Sequence, residues 1–380
     1  MLIIKNAKII TVSSETIEEG MIVVKDGLFL SIGKNLDIPS GAEVIDAQGN
    51  IVTPGLIDVH THLGVNEEGG GRDGHDFNEV SSEVTPEVRA LDGILPSDKG
   101  FEDARNSGVT TVQIMPGSAN IIGGEMVALK TIGNVVDQMV IKNPSGLKAA
   151  MGENPKKFHG EKGRAGSTRM GVAGRLREKL IEGLNYINKS EISSFERNLG
   201  LENIAKVLRK EIPLRVHAHR ADDIATALRI KREFNIDMTI EHCTEGHKIS
   251  SFIAEHDVMV SVGPTMSTRS KQELKDKGWN TLVELVKEGV QISITTDHPV
   301  VSIEHLRTSA ILAVKSGLSE KVALEAITLN SAKHIGVADR VGSIEVGKDA
   351  DFVIWSGDPF DLRSSAQSTF INGKCVYRSH

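Results

Sequence analysis

Apolar and polar residues alternate along the first part of the chain in short runs, and 2–12, 20–25, 29–32 and 43–46 read as strands. Asp26-Gly27 supplies a tight hairpin turn between the second and third of them, and no helical period appears before residue 53. The tail from 349 onward has the same character, with strands predicted over 350–355, 368–371 and 374–377 and a second hairpin turn at Asn372-Gly373. Neither end alone buries a core, so residues 1–53 and 346–380 are expected to meet in one small β-sandwich. Between them the period changes, and apolar β-type runs alternate with helical patterns. Strands are predicted over 57–62, 109–115, an ill-defined stretch between 126 and 141, 147–151, 213–219, 238–243, 258–262 and 291–296. Helices are predicted over 168–188, 192–209, 221–234, 247–255, 280–287 and 303–315. Eight strands alternating with helices over 54–345 give an α/β class, a (β/α)8 TIM barrel. The glycine-rich run 67–74 is expected to be a mobile loop over the barrel mouth.

A length of 380 residues suits a barrel with a small satellite domain. With 44 Lys+Arg against 51 Asp+Glu, the formal charge of −7 and the lack of a basic run point away from nucleic acid and anionic membranes. The two cysteines, Cys243 and Cys375, stand in unrelated contexts, which fits a reducing, cytoplasmic setting. The N-terminus has no signal-peptide layout, and no segment reaches the length of a membrane span. A small-molecule substrate is the expected partner, and a homo-oligomer is compatible with this composition.

Chemistry concentrates at the predicted strand ends. His60 and His62 are two apart, so a strand turns both imidazoles to one side, as two ligands of one metal require. Alone, such a pair is more often two ordinary strand histidines. Three further strands end in the same way, at His217-Ala218-His219, Glu241-His242 and Thr296-Asp297. A barrel projects the C-terminal ends of its strands onto one face, where catalytic residues collect. Lys148 interrupts the small and apolar run Gly146 to Gly152, where a bare ammonium is costly to bury. Carbamylated by CO2 to a carboxylysine, it becomes an anionic ligand able to bridge two ions. The competing readings are a pairing of Lys148 with Glu153 or solvent, and Glu153 itself as the ligand.

These motifs resemble the amidohydrolase superfamily, and within it the imidazolonepropionase-related metal-dependent hydrolases. The matching pieces run from Pro54-Gly55-Leu56-Ile57-Asp58-Val59-His60-Thr61-His62 through the strand ends above to the helix Thr328 to Lys333 and the tail Gly342 to Asp351. The resemblance implies a (β/α)8 barrel with a terminal β-sandwich and a divalent metal, zinc being the expected ion, in one or two copies. It assigns one ion to His60, His62 and Asp297 and a second to His217 and His242, with carbamylated Lys148 as the bridge. Gly146-Leu147-Lys148 is similar to the segment that carries the carbamylated lysine of urease. Imidazolonepropionases differ in using one metal and no bridging lysine. His219, one alternation beyond His217, is the other candidate ligand of that strand and is otherwise placed against substrate.

The implied reaction is hydrolysis of a C–N amide-type bond, cyclic or linear, by a metal-activated hydroxide, with Asp297 as the catalytic base. The segment after Lys148 carries Lys156, Lys157, Lys162, Arg164 and Arg169 against Glu153 and Glu161, and Arg220 and Arg269 follow predicted strands. Arginine forks suit carboxylates, so Arg169 and Arg220 are expected to bind an anionic substrate such as an N-acyl amino acid or dipeptide, against the plainer reading of a solvated loop. Two other classes share the scaffold: an aminoheterocycle deaminase, and a non-catalytic descendant, which should have lost ligands.

Overall fold

The computed structural model describes residues 1–192 and 196–379. Eight strands form the central sheet: Leu56–Thr61 (β1), Val109–Ile114 (β2), Ile122–Lys130 (β3), Val140–Ala150 (β4), Leu214–Ala218 (β5), Met238–His242 (β6), Met259–Val262 (β7) and Ile292–Ile294 (β8), hydrogen-bonded in chain order. The seam between β8 and β1 closes the barrel through the parallel bridge Thr61 to His298 and the bond from His62 N–H to the His298 carbonyl (2.9 Å). Asp58 holds the same seam. Its carboxylate accepts from the Thr295 hydroxyl (2.5 Å), the Thr296 hydroxyl (2.6 Å) and the Thr296 N–H (3.0 Å).

The ill-defined third strand is β3, and it runs antiparallel to both β2 and β4. The cause is connection length: segments 115–121 and 131–139 are too short for the helical crossover that a parallel neighbour needs. All nine residues of β3 are buried, so it carries no alternation from which a sequence reader could place it. The other strands are parallel, and helices Lys99–Asn106, Ala221–Phe234 and Asn280–Lys287 fill three of the crossovers. Helices Arg169–Ile192 and Leu199–Leu208 fill the crossover from β4 to β5. The helix predicted over 192–209 includes 193–195, which lie outside the described residues.

Both ends of the chain join one further eight-stranded sheet. Its order is Lys374–Arg378, Ala366–Ile371, Phe352–Trp355, Ile51–Pro54, Leu2–Ile9, Ile17–Lys25 and Leu28–Gly33, with Glu43–Asp46 also on Leu2–Ile9. The two termini meet as expected for the small β-sandwich, and by hydrogen bonding their strands are one continuous sheet. Both predicted hairpin turns form, with left-handed φ at Asp26 (52°), Gly27 (83°), Asn372 (49°) and Gly373 (70°), as a type I′ turn demands. A separate apolar cluster, including Ile4, Ile22, Phe29 and Phe352, forms the core of this sheet. Buried Lys130 at the end of β3 ties the barrel to it through ion pairs with Asp349 (3.0 Å) and Asp351. Among the described residues no helix is long and apolar enough to cross a membrane.

Candidate metal centre

Alternation along β1 decides which side chains reach the mouth of the barrel. Ile57 and Val59 pack outward against Ala332, Ile335 and Val337, so Asp58 and His60 turn to the interior. His62 follows just past the strand. His217 lies at the end of β5 with His219 just past it, His242 ends β6, and Asp297 follows β8. All six donors line one cavity of about 820 Å³. The ring centroids of His60 and His242 lie 4.5 Å apart, those of His217 and His219 4.5 Å, and those of His217 and His242 4.4 Å. The ligand atoms fall into two groups, His60, His62 and Asp297 in one and His217, His219 and His242 in the other, and within each group they all lie within 4.8 Å of one another.

The outward nitrogens are held by fixed partners. His62 Nδ1 is bonded to the Met115 carbonyl (2.8 Å), His242 Nδ1 to the Gly263 carbonyl (2.8 Å), and His60 Nδ1 to the Glu241 carboxylate (3.2 Å). These oxygens only accept, so Nδ1 of each ring donates and Nε2 presents a lone pair to the cavity, the tautomer a metal ligand needs. His219 Nδ1 meets the Thr244 hydroxyl (2.7 Å). His60 Nε2 and His62 Nε2 lie 3.5 and 3.3 Å from Asp297 Oδ1. Lone pairs so close repel unless a cation sits among them, and imidazole and carboxylate are the donor set of a divalent ion such as zinc. Burial, then Lys148 and His242, pushes His60 down to about 3; burial likewise lowers His217, His219 and His242. These four rings are therefore neutral at pH 7, as ligands must be. Two donors sit on strained backbone, His242 at φ 72° and Asp297 at φ 54°, where a non-glycine residue stays only if its surroundings hold it.

Beneath the cavity, Glu241 is fully buried and fully engaged. It accepts from the Thr239 hydroxyl (2.7 Å), the Ser261 hydroxyl (2.5 Å), His334 Nε2 (3.0 Å) and His60 Nδ1 (3.2 Å), with Arg215 Nη1 4.0 Å away. Lys148, also fully buried, has Nζ 3.4 Å from His60 Nε2, 3.1 Å from Met115 Sδ and 3.2 Å from the Pro116 carbonyl. Burial pushes its ammonium down to about 8, so about a tenth of it is the neutral amine at pH 7. Glu153, the alternative ligand, faces elsewhere and accepts the Glu273 N–H (3.3 Å).

Arg169 and Arg220 are not brought to this cavity. They line a separate surface pocket with Glu153, Lys156 and Lys157, Arg169 paired with Asp223 (3.1 Å) and Arg220 with Asp222 (2.8 Å). Arg269 is spent on the Lys275 (3.1 Å) and Lys277 (2.9 Å) carbonyls. Of the glycine-rich run only its flanks, Asn66 and Phe77, line the cavity, and Asn66 and His75 form an antiparallel bridge across its base. The cation that does line the cavity is Lys271, bonded to Asn154 Oδ1 (2.8 Å). Sequence reasoning passed over Lys271, Glu273 and the supporting roles of Asp58 and Glu241. Asp58 and Glu241 carried a signal, since each stands within two residues of a candidate ligand in a buried strand; Lys271 and Glu273 lie in an irregular loop that offers none.

Comparison with known proteins agrees with this architecture. A solved amidohydrolase from Thermotoga maritima MSB8 superposes with a TM-score of 0.97 at 43% identity, over the whole of both chains. The imidazolonepropionase of Mesorhizobium japonicum is 25% identical, over 92% of this chain and 91% of its own. Amidohydrolase tasK of Hapsidospora irregularis is 25% identical over 94% of this chain, which spans 40% of that relative's length. The model of the amidohydrolase family matches residues 51–376, a span that takes in the last strand of the N-terminal half, the whole barrel and nearly all of the C-terminal strands. The chain therefore belongs to the amidohydrolase family.

Proposed function

We propose that this hydrolase cleaves a C–N bond of amide type, linear or cyclic, in a small anionic substrate, and that it depends on divalent metal, zinc in the first instance. The observation that carries the reading is the convergence of two sets of lone-pair donors, His60, His62 and Asp297 beside His217, His219 and His242, in one cavity. A divalent ion held there by these residues would supply Lewis-acid polarisation of the scissile carbonyl and would acidify a water to a pKa near neutrality. Asp297 takes the proton of that water and returns it to the leaving nitrogen, since its carboxylate borders both the ligand set and the open cavity. Lys148 acts as carboxylysine: the neutral amine adds to CO2, loses a proton, and leaves a carbamate anion in place of an ammonium beside His60. An anionic substrate is supported by Lys271, the lone lysine or arginine among the described residues lining the cavity, bonded to Asn154 and paired with Glu273.

The test is a panel of N-acyl amino acids, dipeptides, lactams and aminoheterocycles incubated with zinc-loaded protein. Turnover of acidic amides or lactams is expected. Ammonia release from aminoheterocycles with every amide untouched would instead assign a deaminase.

A further inference from the structure

We infer that Glu273 is a metal ligand of the second site, the counterpart of Asp297 in the first. This rests on reading the cavity as a centre for two ions. Glu273 lies in the short turn Gln272–Leu274 that follows β7, at 1% exposure, in a segment without strand or helix pattern to announce it. Its Oε1 stands 3.6 Å from His219 Nε2 and 3.8 Å from His217 Nε2. At the first site Asp297 Oδ1 stands 3.5 and 3.3 Å from His60 Nε2 and His62 Nε2. Tetrahedral zinc with arms of about 2.1 Å sets neighbouring donors about 3.4 Å apart, so both carboxylates sit at close to the edge length of a coordination polyhedron. The two halves of the cavity thus repeat one pattern: a strand ending in His-X-His, capped by a carboxylate from a loop after another strand. His242 groups with His217 and His219, their ligand atoms all within 4.8 Å of one another, and Glu273 approaches that trio from the side of His217 and His219.

The carboxylate is built into place. Glu273 Oε2 accepts the Glu153 N–H (3.0 Å), and the Glu273 N–H returns a bond to Glu153 Oε2 (3.3 Å). Gly152, at φ 86°, makes room for it, because a Cβ there would come within 2.9 Å of Glu273 Oε2. The other oxygen, Oε1, is buried and accepts no well-directed hydrogen bond, although Lys271 Nζ lies 2.7 Å away. Oε1 faces two imidazole nitrogens of ligand type, and a divalent ion among these donors would take over the charge balance that Lys271 supplies in its absence. Without an ion, the Lys271 ammonium offsets the charge; with one, Lys271 keeps Asn154 Oδ1 as its partner. No assignment from the strand-end motifs reaches this residue.

Zinc titration into chelator-stripped full-length protein, followed by calorimetry and by the visible spectrum of the cobalt-substituted form, tests the inference without recourse to activity. Wild type is expected to take two ions per chain. Glu273→Gln should keep the first affinity and weaken the second at least about tenfold, with an altered cobalt spectrum for the second equivalent. Lys271→Gln, which removes the competing ammonium, should tighten the second ion. Two ions bound by Glu273→Gln with wild-type affinities overturn the inference. So does a single ion in wild type bound equally well by Glu273→Gln, an outcome that leaves the hydrolase reading standing; no zinc binding at all removes both. If Glu273→Gln fails to fold by circular dichroism, Lys271→Gln decides alone, and an unchanged second affinity overturns the inference.

Discussion

The two histidine pairs of the cavity are alike in sequence and unlike in support. His60 and His62 both have Nδ1 bonded, to Glu241 and to the Met115 carbonyl, and Glu241 is itself held by four donors that include His334 and Ser261. In the second pair His219 has the Thr244 hydroxyl, while His217 Nδ1 is buried with no hydrogen-bond partner among the described residues. Strand alternation aims the rings in both cases. What stiffens the first pair is the layer of acceptors behind it, which fixes tautomer and orientation before any ion arrives. The comparison predicts a tight first site and a looser second one.

The largest effect should come from Asp297, which caps the stiff pair. Asp297→Asn is expected to lower kcat by about 10³-fold, within the span of lost general acid-base catalysis, with little change in melting temperature. Near-normal turnover in a folded variant would remove the proton-transfer role. Next comes the support behind His60. Glu241→Gln should weaken the first zinc by about 10- to 100-fold and destabilise the fold by about 3 kcal/mol, because Arg215 is left in the interior without its counter-charge. Calorimetric titration and denaturant unfolding check the two parts, and equal weakening of both ions would erase the contrast between the two sites.

Acid should weaken the metal-free protein through these buried rings. Burial pushes His60 down to about 3 in the folded protein from the ordinary 6.5, so between those values the unfolded chain binds the extra proton. Stability is therefore complete above about 6.5 and declines as the pH falls toward 3. Melting temperatures across that range should show a shallower decline in His60→Gln. Asp58 works in the opposite sense: burial raises it to about 6 from 3.8, so its contribution is present at low pH and lost as the pH rises through that interval. The smallest effect belongs to the surface pocket. Arg220→Ala breaks a partly exposed pair with Asp222, should cost under about 1 kcal/mol, and should leave kcat/KM for acidic amides unchanged. A selective loss of acidic substrates would bring that pocket into the site.

Much of the centre was legible because strand geometry is local. A period of two and a turn before or after the run were enough to aim His60 and His62, His217 and His219, His242 and Asp297. The hairpin turns at Asp26-Gly27 and Asn372-Gly373 were legible for the same reason, since φ preference belongs to the residue. What was hidden depends on partners distant in the chain. β3 is apolar throughout and shows neither direction nor period, so only the short connections on either side reveal it as antiparallel. Arg169 and Arg220 look free in sequence, and only the fold sets Asp223 and Asp222 beside them. Glu273 and Lys271 sit in a loop whose course is fixed by contacts such as that between Glu153 and Glu273, 120 positions apart.

Metal content bears most directly on the central claim, that distant strand ends deliver donors to one ion-binding point. Elemental analysis of wild type and of a His60→Asn, His62→Asn double variant, both zinc-equilibrated and gel-filtered, should find bound zinc in the first and at least one ion fewer per chain in the second, with the fold kept. Equal zinc in both proteins, or none in wild type, would contradict the account.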